Sequence, residues 1–98
     1  MVQAGVEIFV RNDPTAYAST CRMLGVADLR AALPNLRMPT AVIVGREDYA
    51  TPVAMAEALQ AGIAGATLTI IENGRHLTPL EHPDRIAEAL LGLIEARR

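Results

Sequence analysis

A chain of 98 residues is long enough for one small domain and too short for two, and a hydrophobic share of 51% against 20% charged argues for a packed chain over a disordered one. The net charge is −2 and all nine basic residues are Arg, four against three acids over residues 1–39 and five against eight over residues 40–98, so there is no basic stripe to hold a nucleic acid. Cys21 is the only cysteine, which excludes an intrachain disulfide and the cysteine spacing of a zinc site.

The first six residues lack a basic region ahead of an apolar run, and no apolar run approaches a membrane span. The chain therefore reads as soluble and cytoplasmic, with no membrane partner. Residues 2–12 fit two patterns: Val6, Ile8 and Val10 alternate as in a strand, while Val2, Val6 and Val10 recur at helical spacing. Asn12-Asp13-Pro14 is a helix start, with Asp13 as the cap and Pro14 in the first turn, where its missing N–H costs nothing. The helix predicted from Pro14 to about Leu24 places Tyr17, Cys21 and Leu24 on one face, makes Cys21 a small buried hydrophobe and stops at Gly25. A short helical turn follows over Ala27–Leu33, and residues 34–39, bracketed by Pro34 and Pro39, read as a connector.

Thr40–Val44 is a β-branched apolar run closed by Gly45, which suits a parallel strand covered by helices on both faces. Thr51-Pro52 repeats the cap-plus-proline signal for a helix to about Ile63, striped by Met55, Ala56, Leu59 and Ile63 and ended by Gly62 and Gly65. Thr67–Ile71 is a second strand of matching length and composition. Strand, helix and strand of this size make a βαβ crossover with the two strands parallel. Pro83 opens a last helix striped by Ile86, Leu90, Leu93 and Ile94, with Arg97 and Arg98 where its dipole favours positive charge.

Two side chains stand where parallel α/β sheets place their chemistry, in the loops after the C-terminal ends of strands. Asp48 follows the first strand in Gly45-Arg46-Glu47-Asp48, where Gly45 is expected to turn the backbone, and His76 follows the second in Glu72-Asn73-Gly74-Arg75-His76. Alone, Asp48 reads as a helix-capping carboxylate and His76 as a solvated loop residue. As a pair on neighbouring strand tips, the carboxylate can accept from one ring nitrogen, fix the tautomer and leave the other nitrogen as a base. Glu47 is the alternative carboxylate, less well spaced from the Thr51-Pro52 helix start. His82, in Glu81-His82-Pro83, is explained by its place at a helix start.

The segments Val42-Ile-Val-Gly-Arg-Glu-Asp-Tyr-Ala-Thr-Pro52 and Gly74-Arg-His-Leu-Thr-Pro-Leu-Glu-His-Pro83 resemble the acid and histidine segments of the α/β-hydrolase fold, whose triad runs nucleophile, acid, histidine along the chain. Asn12-Asp-Pro-Thr-Ala-Tyr17, Cys21, Asp28-Leu-Arg30 and Met38-Pro-Thr40 are most similar to the 3-oxoadipate enol-lactonase branch. The resemblance spans nearly the whole chain but only the C-terminal part of the family's fold. It implies a helical cap tail at residues 2–12, with Asp48 and His76 as the catalytic acid and histidine. The chain departs from the family in having no Gly-x-Ser-x-Gly elbow, Ser19 as its sole serine, no oxyanion-hole loop, and Arg75 where a small residue is usual.

The expected fold is therefore a single partial α/β-hydrolase domain over residues 1–98: a helical, cap-tail-like part at 1–33 and a parallel βαβ unit with a C-terminal helix at 34–98. The resemblance implies ester or enol-lactone hydrolysis in the parent family, inactivity of this chain alone for want of a nucleophile, and no cofactor or metal. A non-catalytic assembly module is the competing expectation. The bare Thr40–Val44 edge predicts a partner, either a second copy in a homodimer or a complementary N-terminal hydrolase fragment.

Overall fold

A computed structural model describes residues 2–97. Its elements run α1 (Val2–Phe9), α2 (Pro14–Val26), a 3₁₀ turn (Arg30–Asn35), β1 (Ala41–Gly45), α3 (Val53–Gly62), β2 (Thr67–Ile71), α4 (Thr78–Glu81) and α5 (Pro83–Arg97). The strands form a two-stranded parallel sheet in the register Ala41↔Thr67 to Gly45↔Ile71. With α3 as the crossover, this is the partial α/β-hydrolase arrangement that the sequence predicts. Arg97 lies in the last turn of α5; Arg98 is outside the described residues.

The core follows from the two-residue period of the strands. Val42 and Val44 turn to one face with Ala56 of α3, joined by Val53, Ala66, Leu68 and Ile70. The other face of β1 meets α5. Ile63, at the end of α3, and Ile71, at the tip of β2, are the most deeply buried aliphatics. Apolar positions on alternate sides of a strand need a helix on each side, and α3 and α5 supply them.

Residues 2–9 resolve to helix, as the cap-tail resemblance implies. Asp13 caps α2 through Oδ1, which accepts from the N–H of Thr15 at 2.9 Å and of Ala16 at 3.4 Å. Gly25, expected as the stop, is inside α2, which runs on to Val26 with Ala27 as the C-cap. Cys21 is exposed, contrary to expectation, because the face it shares with Tyr17 and Leu24 has nothing packed on it; α2 buries no residue at all. The turn expected over Ala27–Leu33 sits further on and takes in Pro34, which a 3₁₀ turn tolerates. Pro52 occupies the N-cap position of α3, not its first turn, and no side chain caps that helix, because Thr51 is engaged elsewhere.

The Cα radius of gyration is 15.5 Å, against about 13 Å for a compact chain of this length. The excess reflects how little covers the helices. Of the α3 stripe, Met55 and Leu59 remain exposed, as do Leu90 and Ile94 of α5. Among the described residues no helix is long and apolar enough to cross a membrane.

Candidate active site

The two strand tips are stitched together by backbone before any side chain takes part. Arg46 N–H donates to the Ile71 carbonyl at 3.0 Å, and Glu47 N–H to the Gly74 carbonyl at 2.9 Å. This approach explains Gly45 differently from the sharp turn expected of it. Gly45 is the last residue of β1, and a Cβ there would run into the carbonyl groups of Gly74 and Arg75. Gly74 is matched to it, with a Cβ 3.1 Å from the Gly45 Cα. Asn73 makes the turn itself at φ 61°, a left-handed conformation that Asn tolerates better than most residues.

The loop that Gly45 starts carries Asp48 inward. Its side chain is 6% exposed, and every oxygen is used. Oδ1 accepts from the N–H of Ala50 at 3.1 Å and of Thr51 at 2.9 Å, while Oδ2 accepts from the Thr51 hydroxyl at 2.9 Å and lies 3.0 Å from His76 Nδ1. The Thr51 N–H, then the His76 ring and the Thr51 hydroxyl, hold the Asp48 carboxyl down to about 2 against an opposing desolvation cost. An ionised carboxylate can only accept, so the proton in the 3.0 Å contact belongs to His76 Nδ1. In the neutral ring Nε2 then carries a lone pair, and it has no hydrogen-bond partner among the described residues.

Asp48 and His76 are thus brought together as the sequence predicts. Glu47, the alternative carboxylate, contributes its backbone N–H to the strand-tip contact and no side-chain bond to His76. His82 lies between α4 and α5, its carbonyl accepting from the N–H groups of Arg85 and Ile86. Arg75 is exposed beside the histidine.

Two residues of the site were not singled out in the sequence. Thr51 was read as a helix cap, yet it gives Asp48 both its N–H and its hydroxyl and stands 3.4 Å from His76 Nδ1. Glu81 straddles the histidine: Oε1 accepts from Arg75 N–H at 2.8 Å and Oε2 from Leu77 N–H at 3.0 Å. It does so from α4, a single turn that Pro79 helps to start. The signal for Glu81 was present in Thr78-Pro79-Leu80-Glu81, since an acid three residues after a threonine is the spacing of a capping box. Here the glutamate reaches back to the backbone on both sides of His76.

His76 is 56% exposed at its side chain and stands at one end of an open trough of about 740 Å³. The trough is walled by Val42 and Val44 of β1 and by Met55 and Leu59 of α3, with Leu33 toward the other end, where it packs on Gly62. Chemically this is a buried, ionised acid orienting a half-exposed base toward an apolar channel.

The chain is similar to hydrolases that are much longer than itself. It is 26% identical over 96 residues to the 3-oxoadipate enol-lactonase 1 of Acinetobacter baylyi, covering 98% of this chain and 36% of that protein. It is 40% identical over 83 residues to a pimeloyl-[acyl-carrier protein] methyl ester esterase of Stenotrophomonas maltophilia, covering 82% of this chain and 32% of that one. Among solved structures, the enol-lactonase of Burkholderia xenovorans LB400 superposes with a TM-score of 0.84 at 30% identity, over 91% of this chain and 34% of that one. The chain therefore spans about a third of the length of the curated relatives it matches. No protein-family model matches it.

Proposed function

Because the chain belongs to the α/β-hydrolase fold family, of which it carries the C-terminal part, we propose that it is the acid–histidine half of a site that hydrolyses carboxylic esters or enol-lactones. Asp48 holds the His76 tautomer, and His76 Nε2 is the general base. The nucleophile comes from residues beyond these 98. The observation that carries this reading is the 3.0 Å contact between His76 Nδ1 and Asp48 Oδ2 on the tips of paired parallel strands.

In the completed site, a nucleophilic hydroxyl placed against Nε2 attacks the ester carbonyl carbon as its proton passes to the ring. Asp48 stabilises the imidazolium so formed. The ring returns the proton to the departing alkoxide, or in an enol-lactone to the oxygen freed by ring opening. Water then attacks the acyl-enzyme with the same base, releasing the acid and restoring the hydroxyl. Thr51 keeps the Asp48 carboxylate pointed at the ring, and Glu81 keeps the ring's loop in place. Ser19 and Cys21 do not fill the missing role, since both are exposed on α2 and neither lines the trough that ends on His76.

The chain alone is therefore expected to be inert. The check is hydrolysis of p-nitrophenyl acetate and of an enol-lactone by the purified chain, against free imidazole at equal concentration. Turnover above that control, abolished by His76→Ala, would overturn inertness. Alongside it, proton NMR is expected to show a low-field His76 Nδ1 proton that disappears in Asp48→Asn. Its absence from the unsubstituted chain would remove the base from the proposal.

A further inference from the structure

We propose that the open edge of β1, with the trough beside it, docks a polypeptide carrying the remaining strands of the hydrolase sheet, and that its nearest strand adds parallel to β1. The inference rests on reading Asp48 and His76 as half of a hydrolytic site.

The edge is defined by hydrogen-bond parity. Thr67 N–H donates to the Thr40 carbonyl, and Arg46 N–H to the Ile71 carbonyl. In a parallel ladder of this register, alternate residues 40, 42, 44 and 46 serve β2. The backbone groups of Ala41 and Ile43, and the N–H of Gly45, therefore turn to the open side; the Gly45 carbonyl is taken by Asp48 N–H. An edge exposed by design usually carries a charge, a proline or a bulge. Ala-Val-Ile-Val-Gly carries none. β2 also has an outer edge, but the trough and its apolar wall of Met55 and Leu59 lie beside β1.

The site sets the direction of the incoming strand. Asp48 and His76 follow the C-terminal ends of β1 and β2, and a nucleophile on a strand-to-helix turn sits at the C-terminal end of its own strand. Only a strand parallel to β1 brings that end beside His76. A second copy of this chain, paired across β1 by a two-fold axis, would run antiparallel. Its own strand tip would then lie at the far end of a five-residue strand, about 16 Å away. The extent of uncovered surface agrees with a larger partner. No residue of α1, α2 or the 3₁₀ turn is buried, and the relatives are about three times as long as the matched segment.

The test co-expresses the full chain with the part of the Burkholderia xenovorans LB400 enol-lactonase that it does not match. A one-to-one complex is expected. In it, amide exchange at Ala41 and Ile43 should slow by at least ~100-fold relative to the chain alone, while Val42 and Val44, already paired with β2, change little. Ile43→Pro removes only an outward N–H and should abolish the complex without altering the circular dichroism of the isolated chain. Ile43→Lys is the second probe of the same edge, should the proline variant misfold. Protection of Ala41 and Ile43 without ester hydrolysis would keep the docking surface and overturn the catalytic reading. Hydrolysis without that protection would do the reverse. The docking proposal is overturned if no complex forms, or if the chain alone makes a homodimer that protects the same amides.

Discussion

The helices ahead of the sheet and the unit built around it obey the same local rules and reach different states. α2 has a cap with two hydrogen bonds and a proline in its first turn, and α1 meets it through an edge-to-face contact of Phe9 with Tyr17 at 5.3 Å. Yet nothing before β1 is buried, and every buried residue among those described lies between Val42 and Thr78. Capping and propensity are enough to make a helix, but they do not provide a surface for its apolar face. Burial needs elements distant in sequence to meet, and only β1, α3, β2 and α5 do so here.

The largest effect expected from this contrast is on stability. Ile71, 1% exposed at the tip of β2, should cost about 2–5 kcal/mol when truncated to Ala, measured by urea unfolding. Val10→Ala, at an exposed position just after α1, should stay within about 0.5 kcal/mol. Comparable costs at the two positions would break the contrast and show that the leading helices are packed in solution.

Acid titration compares two aspartates whose carboxyls are both held down to about 2. Asp28 is held chiefly by the Arg30 side chain, and Asp48 chiefly by Thr51 N–H and then His76. A lowered folded pKa contributes stability that is complete above the unfolded value near 3.8 and is lost as pH falls through it toward 2. Asp28 and Arg30 are exposed, with side chains 53% and 87% accessible, so water and salt screen their pair. Asp48→Asn should therefore flatten the loss of stability between pH 4 and 2 far more than Asp28→Asn, and added salt should erase only the Asp28 contribution. Equal effects in unfolding curves across that range would show that burial does not separate the two.

The smallest effect concerns two carboxylates with one device, each taking two backbone N–H groups. Asp13→Ala should remove about 1 kcal/mol from α2, seen as lost helicity in circular dichroism with the core's unfolding midpoint unchanged. Glu81→Ala frees Arg75 N–H and Leu77 N–H, so it should leave the midpoint nearly unchanged while shifting and broadening the His76 ring resonances. A midpoint shift in Asp13→Ala, or an unchanged His76 spectrum in Glu81→Ala, would reverse the roles assigned to them.

Much of this was legible in the sequence where the cause is local. The strands were readable because Val-Ile-Val and Thr-Leu-Thr-Ile-Ile are β-branched runs bounded by glycine, and the start of α2 because Asp13-Pro14 satisfies its first turn. The misreadings share a different cause. Gly25 and Cys21 were judged as though a partner surface existed, and without one α2 continues past the glycine and leaves the thiol exposed. Thr51 was read as a cap from its neighbour Pro52, whereas its hydrogen bonds go back to Asp48.

By itself, the sequence determined the succession of elements, the parallel pairing and the two candidate residues, since each depends on periodicity or on position just after a strand. The tertiary structure decided which carboxylate meets the histidine, and through which nitrogen. Asp48 and His76 are 28 residues apart. Their contact exists because Gly45 and Gly74 let two loops approach backbone to backbone, a closeness that only the register of β1 on β2 creates. The same register turns Ala41 and Ile43 outward, and so leaves beside the acid–histidine pair an edge with nothing paired to it.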